Sequence, residues 1–346
     1  MSPADGTIAG MESPLPAFDP GSDADAGITA AAALLAQGRL VGLPTETVYG
    51  LAADARNPEA VRAIFALKQR PADHPLIVHI GTLEELHAWA AAVPPAALAL
   101  ARAFWPGPLT LVLPARADVP RVVTGGLDTV ALRMPAHPLA LALLRRFGRG
   151  LAAPSANRHL HVSPTTAAHV RAEFGDALPL VLDGGPCTVG IESTIVDVST
   201  DTPRILRPGR ISAAEIAACL QRAVDLQPAA GTRSPGLMKR HYSPRAQVLC
   251  APAATLQARV DECLARGLRT VQLSATPPAA AHPRLVWLDA GHTPALRMQR
   301  LYALLREADD RGAEVIVAEL PDGDGPAEAL RDRLLRAAGQ GSVPTS

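Results

Sequence analysis

Residues 57–80 read NPEAVRAIFALKQRPADHPLIVHI. Asn57 is an N-cap residue type, and Pro58 suits the first helical position, where its missing N–H costs nothing. Val61, Ile64 and Leu67 or Lys68 then recur along one helical face. Pro71 disfavours helical geometry at Arg70, so the helix ends near Lys68, where the dipole tolerates a cation. LIVHI (76–80) follows as a short strand. A capped helix, an extended polar turn and a strand in immediate succession point to an α/β fold.

Lys68 stands out further because only two of the 33 basic residues are lysines, Lys68 and Lys239. Arginine meets almost all of the chain's need for positive charge. The plain alternative is that both lysines are chance survivors of an Arg-rich composition. Basic and acidic residues balance at zero net charge, so no whole-chain field attracts nucleic acid or an anionic membrane. Aromatic content is 3%, which leaves Leu, Val, Ile and Ala to build the cores. Cys187, Cys219, Cys250 and Cys263 form no CxxC pair and read as small buried hydrophobes of a cytoplasmic protein. No apolar run is long enough to span a membrane. Residues 1–23 are rich in Pro, Gly and Asp and read as a flexible leader.

Working outward, a helix at about 27–38 leads to the strand-like RLVGLP (39–44) and the polar turn TETVYGLAADA (45–55). Thr82 and Glu85 have capping-box spacing. FWPGPLTLVLP (104–114) and DTVALRMP (128–135) carry strands, and HPLALALLRRFG (137–148) is a helix ended by Gly148. GLAAPSAN (150–157) is a strand running into a polar tip. SPTTAAHVRAEFG (163–175) restarts a helix with Ser163 as cap. LPLVLDGG (178–185), ESTIVDV (192–198) and PRILRPG (203–209) are strand candidates, and ISAAEIAACLQ (211–221) is a helix with Ser212 and Glu215 as capping box. This predicts a first domain over 24–225. Residues 226–245 form a Pro/Gly/basic segment, long for a passive linker. From 246 to 340, strands AQVLCA, RTVQLS, RLVWLD and AEVIVAEL alternate with helices, giving a small Rossmann-like open α/β domain.

No Walker A loop, kinase set, G-x-S-x-G or H-E-x-x-H pattern is present. HLH at 159–161 is only a weak metal hint. Chemistry falls instead to cations and small hydroxyls. Lys68 and Arg70 are two residues apart; Arg133 lies in an otherwise apolar strand; Arg207 and Arg210 flank a Pro-Gly turn. Converging, they would hold a triphosphate and a carboxylate and stabilise charge as a phosphoryl bond breaks. Thr45, Thr47, Ser155, Asn157, Ser163, Ser193 and Thr194 supply hydroxyls and amides; each also has an ordinary reading as a cap or turn residue. No motif supplies a base for a serine nucleophile, so positioning is the better reading.

PTETVYGLAADA, ALKQRPADHPLIVHI, FWPGPLTLVLP, VALRMP, APSAN, GIESTIVDV and ILRPG, in that order, resemble the YrdC/Sua5 family of threonylcarbamoyl-AMP synthases. SPGLMKRHYSP followed by a small α/β domain is similar to the two-domain Sua5 form. The resemblance implies a twisted open sheet with a large cationic cavity. It also implies an enzyme, a nucleotidyltransferase, that joins L-threonine, bicarbonate or CO2 and ATP, with Mg2+ accompanying the ATP. Pyrophosphate leaves, and a separate tRNA threonylcarbamoyltransferase complex moves the group to N6 of adenosine at tRNA position 37. Stable direct tRNA binding is not implied. By the same resemblance, Lys68, Arg70, His74, Thr129, Ser155, Asn157, Ser163, Arg207 and Tyr242 meet ATP. Thr47, His79, Arg133, Ala153 and Ser193 meet threonine. Lys68, Arg70 and Arg133 act by charge and position, with no covalent nucleophile. His74 departs from the family's usual Asn.

Because a mixed anhydride hydrolyses readily, SPGLMKRHYSP in the 226–245 linker is expected to fold over the cavity mouth as a gate, with Lys239 and Arg240 near the phosphates and Tyr242 packed on the nucleotide. A non-catalytic RNA-binding module of the same fold is the alternative function. A carbamoyltransferase of hydrogenase maturation would carry paired-cysteine zinc sites, which the sequence lacks.

Overall fold

The computed structural model describes residues 21–225 and 241–340. In chain order the first part comprises α1 (Gly21–Ala36), β1 (Val41–Leu43), β2 (Gly50–Asp54), α2 (Pro58–Lys68), β3 (Ile77–His79), α3 (Leu86–Trp89), α4 (Pro95–Phe104), β4 (Leu109–Pro114), α5 (Arg121–Thr124), β5 (Thr129–Arg133), α6 (Pro138–Phe147), β6 (Leu151–Ala152), α7 (Ala167–Phe174), β7 (Thr194–Asp197), β8 (Arg204–Arg207) and α8 (Ala213–Leu220). The second part comprises β9 (Gln247–Pro252), α9 (Ala253–Ala265), β10 (Thr270–Ser274), β11 (Leu285–Asp289), α10 (Pro294–Asp310), β12 (Val315–Leu320) and α11 (Pro326–Ala337).

The first eight strands form one mixed sheet in the order β1-β2-β6-β3-β5-β4-β7-β8. β3 runs parallel to β5 and β4 parallel to β7; the other pairs are antiparallel. Ile28, Leu35, Leu139 and Leu143 of α1 and α6 pack against Val41, Leu43, Ala52 and Leu151. Val61 and Ile64 of α2, Leu100 of α4 and Ile216 of α8 join a larger core with Leu51, Val78, Leu111 and Leu132. The second sheet, β11-β10-β12-β9, is entirely parallel. Its core does not stop at its own boundary. Val48, Val162 and Ile191 of the first part share one apolar cluster with Tyr242, Met298, Leu301 and Tyr302.

Local chemistry explains the element ends. The Asn57 side chain accepts from the amides of Glu59 and Ala60, and Gln69 closes α2 in the left-handed region at φ 54°. Ser212 and Glu215 form both halves of a capping box on α8. Four expectations fail. GLAAD at 50–54, read as part of the polar turn, is strand β2. Ser163 caps no helix; α7 starts later and is capped by Thr166, whose hydroxyl accepts from the His169 amide. Thr82 and Glu85 open no full helix: Glu85 accepts from the Gly81 amide, and the expected helix shrinks to one turn. LPLVLDGG forms no strand: it meets β1 only around Gly42, through the Leu180 carbonyl and the Leu182 amide. Residues 226–240, with Lys239 and Arg240, lie outside the described residues.

No helix of the described residues is long and apolar enough to cross a membrane.

Candidate active site

Register builds the floor of the main cavity. Strand side chains alternate between faces, so Ile77 and His79 share one face of β3, and Arg133, paired with His79, lies on the same face of β5. Arg133 is 4% exposed, which obliges its guanidinium to find partners. Nη1 donates to Thr47 Oγ1 at 2.8 Å, Nη2 to Glu46 Oε1 at 2.7 Å, and Nε to the Gly107 carbonyl at 3.2 Å. Glu46 Oε2 accepts from the Ala136 amide at 3.1 Å. The fork is therefore fixed in place, with two of its five N–H groups not used by these bonds. Thr45 braces this turn, its hydroxyl donating to the Val48 carbonyl at 2.6 Å. His79 is held down at about 3, first by burial and then by the charge of Arg133, so it is a neutral imidazole at neutral pH.

One wall comes from the chain entering β7 and leaving β8. The Ser193 hydroxyl shares a hydrogen bond with Thr110 Oγ1 at 2.8 Å and accepts from Arg207 Nη2 at 3.1 Å. Arg207 Nε donates to the Ser193 carbonyl at 3.0 Å. Glu192, next in line, receives the Ser163 hydroxyl at 2.7 Å on Oε1, and Tyr302 OH at 2.8 Å and Arg333 Nε at 2.9 Å on Oε2. Burial pushes the Glu192 carboxyl up, but Arg333, Arg207 and these donors outweigh it and hold it at about 2.

The APSAN tip adjoins the same cavity through Ser155. Lys68 is buried, and its Nζ donates to the carbonyls of Ser155 and Asn157, each at 2.5 Å. Its own carbonyl accepts from the His159 amide at 2.8 Å. Burial, then repulsion from Arg70, pulls its ammonium well below the usual range. Asn157 Nδ2 donates to the Arg158 and His161 carbonyls. Arg70 donates to the Pro75 carbonyl at 3.2 Å; burial lowers it to about 10, with Arg207 adding like-charge repulsion. Tyr242 closes the cavity from the second part. It is 1% exposed, sits at φ 61°, and packs on Tyr302 (ring centroids 5.4 Å apart) and under the Arg333 guanidinium.

The resulting cavity holds about 730 Å3 of empty space including its open mouth. It brings together Thr47, Arg70, His74, His79, Arg133, Ala153, Ser155, Ser193, Arg207 and Tyr242. Four expected residues are not in its lining. Lys68 and Asn157 stand behind it, shaping the tip; Ser163 stands behind Glu192. Thr129 shares the face of Arg133 but opens β5 opposite Pro114, about 13 Å away by strand rise. Among the described residues, seven buried side-chain atoms lack a hydrogen-bond partner. Three of the seven, His79 Nδ1, His241 Nδ1 and Tyr242 OH, belong to residues lining the cavity. Unsatisfied buried groups of this kind mark where a polar ligand completes the bonding.

The sequence reading missed Glu46, Glu192, His159 and His241 as site residues, and Tyr302 and Arg333 as their supports. Glu46 had a signal: it lies between two threonines already singled out. Tyr302 and Arg333 had none, because their partners are more than a hundred residues distant.

The Sua5/YciO/YrdC family model, described as telomere recombination, matches residues 33–209. A second, described as threonylcarbamoyl-AMP synthase, C-terminal domain, matches 211–339. The chain is 40% identical over 320 residues to the threonylcarbamoyl-AMP synthase of Pyrococcus abyssi (strain GE5 / Orsay), covering 90% of this chain and 94% of that one. It is 39% identical over 326 residues to that of Bacillus subtilis (strain 168), covering 91% and 94%. The solved structure of P. abyssi Sua5 complexed with L-threonine superposes with a TM-score of 0.84 at 38% identity, over 90% of this chain and 94% of that one. The chain belongs to the YrdC/Sua5 family, in its two-domain Sua5 form.

Proposed function

We propose that the chain is an L-threonylcarbamoyladenylate synthase, a nucleotidyltransferase acting on ATP, L-threonine and bicarbonate or CO2. One observation carries the reading: a single cavity presents a fixed guanidinium at Arg133, with two N–H groups not used by its bonds, and further cations at Arg70 and Arg207. A carboxylate and a polyphosphate can bind side by side there. Relatives named threonylcarbamoyl-AMP synthase and the threonine complex of P. abyssi Sua5 support the assignment.

In this account Arg133 takes the threonine carboxylate, with Thr47 and Ser193 beside it. Neutral His79 and Ala153 shape the pocket for the rest of the amino acid. The threonine amine adds to carbon dioxide, losing a proton, to give a carbamate. A carbamate oxygen then forms a bond to the α-phosphorus of ATP as the bond to the β-phosphate oxygen breaks, and pyrophosphate leaves. Arg70, Arg207, His74 and Ser155 line the phosphate side. Lys68 acts by holding the Ser155–Asn157 tip. The mixed anhydride hydrolyses readily, so a wall closed by Tyr242 and His241 protects it from water.

Mg2+ accompanies the ATP in this reading. Among the described residues, Glu192 is the one carboxylate in the cavity lining, and Ser163, Tyr302 and Arg333 occupy it. No group of three or more His, Cys, Asp or Glu among the described residues could hold a metal. The residues therefore fit an ion bound chiefly by the phosphates and water, the usual habit of Mg2+. The product passes to a tRNA threonylcarbamoyltransferase complex, and the chain itself works in the cytoplasm.

Purified protein should release pyrophosphate from ATP only when threonine and bicarbonate are both present, with no tRNA added. Threonine-independent hydrolysis, or RNA binding with no turnover, would instead favour the non-catalytic RNA-binding module.

A further inference from the structure

We infer that Arg333, on α11 of the second part, is a positioning residue for the cavity: it pairs with Glu192 and keeps that carboxylate from cancelling the cationic wall that receives the triphosphate. The inference rests on the reading of the cavity as an ATP site.

Glu192 presents a negative charge in the same lining as Arg70 and Arg207. Left to itself, a carboxylate there would repel phosphates or draw Arg207 onto itself. The second part supplies the answer. The Arg333 side chain is 0% exposed. Its Nε binds Glu192, its Nη1 binds Asp332 Oδ2 at 2.5 Å, and its Nη2 donates to the Pro208 carbonyl at 3.0 Å. Asp332 also receives Arg336 Nε at 2.9 Å. Two acids and two guanidiniums thus balance in one buried cluster, and the charge of Glu192 is spent within it. Pro208 directly follows Arg207, so Arg333 grips both sides of the wall.

The loop carrying Glu192 is seated on the same domain. Gly190 has φ 83°, and a Cβ there would lie 2.4 Å from Gln299 Cα and 2.5 Å from the Gln299 carbonyl oxygen. Gln299 Nε2 also donates to the Cys187 carbonyl at 3.4 Å. α10 fixes the loop in space, and α11 sets its charge.

The test uses the full chain with R333M, E192Q and E192Q/R333M, titrated calorimetrically with inorganic pyrophosphate, ATP and L-threonine at pH 8, with a thermal melt of each. R333M should weaken pyrophosphate and ATP about tenfold or more and threonine less than about threefold. The double variant should recover to within about threefold of wild type, because removing both charges of a buried pair is close to neutral. A double variant as weak as R333M, or R333M binding as wild type does, overturns the proposal.

Should R333M not fold, E192Q alone decides. It leaves Arg333 uncompensated and should bind pyrophosphate more tightly than wild type, and weaker binding overturns the proposal. Wild type that binds pyrophosphate but makes no adenylate refutes the functional reading and leaves these comparisons intact.

Discussion

Arg133 and His79 are register partners across the parallel strands β3 and β5, and the guanidinium helps to hold the imidazole uncharged. The pair gives the cavity floor one fixed cation and one neutral ring. Its energetics can be read in solution.

His79 lies at about 3 in the folded chain against an ordinary 6.5, through burial first and Arg133 second. Between those values the unfolded chain binds a proton that the folded chain refuses. The stabilisation is therefore whole above pH 6.5 and is lost as pH falls through this window. His241, also held at about 3 by burial, acts in the same direction. The thermal midpoint should drop steadily from pH 6.5 to 4.5, and His79→Gln should flatten that drop. An unchanged slope would contradict the buried-neutral assignment.

Arg133→Lys keeps the charge but cannot reproduce the fork to Thr47, Glu46 and Gly107. Its KM for threonine should rise about 10- to 100-fold with the KM for ATP nearly unchanged, as expected for one lost bidentate contact. Glu46→Ala leaves the same guanidinium buried without its partner and should cost about 3–5 kcal/mol in urea unfolding.

Lys68→Met strips the donor from the Ser155 and Asn157 carbonyls. Each orphaned acceptor costs about 1–3 kcal/mol, so the ligand-free protein should lose stability and ATP use together. A variant that loses ATP affinity at unchanged ligand-free stability would show direct phosphate contact instead.

Gly190→Ala places a Cβ 2.4 Å from the α10 backbone at a left-handed position. The backbone strain alone costs about 1–3 kcal/mol. Limited proteolysis should then cleave between the two parts faster than in wild type, and catalysis should fall with it. Unchanged proteolysis would mean that α10 does not seat the loop.

Much of the fold is written in local chemistry. Asn57 and the Ser212/Glu215 pair announce their helices, and the strands of the second sheet stand where their apolar runs lie. Two of the failures share a cause, which is competition from partners close in space. Glu85 takes the Gly81 amide, and Ser163 is claimed by Glu192. In the site, Arg133, Arg207 and Ser193 were legible because a cation or hydroxyl in an apolar strand context must find a ligand or a partner. Lys68 was legible as unusual, but its role was not, because its acceptors are carbonyls that carry no sequence signature. Asp332, Arg333 and Arg336 carry no local sequence signal of burial. Only the packing of α11 against Glu192 and Tyr242 shows them buried.

The central claim is that one cavity builds a carbamoyl adenylate from threonine and ATP. Isotopically labelled bicarbonate, incubated with purified wild-type protein, ATP, Mg2+ and L-threonine without tRNA, tests it most directly. The account predicts label in an adenylate species, equimolar with released pyrophosphate and absent when threonine is omitted or Arg133 is replaced by methionine. Pyrophosphate or phosphate release with no label in any adenylate would contradict it.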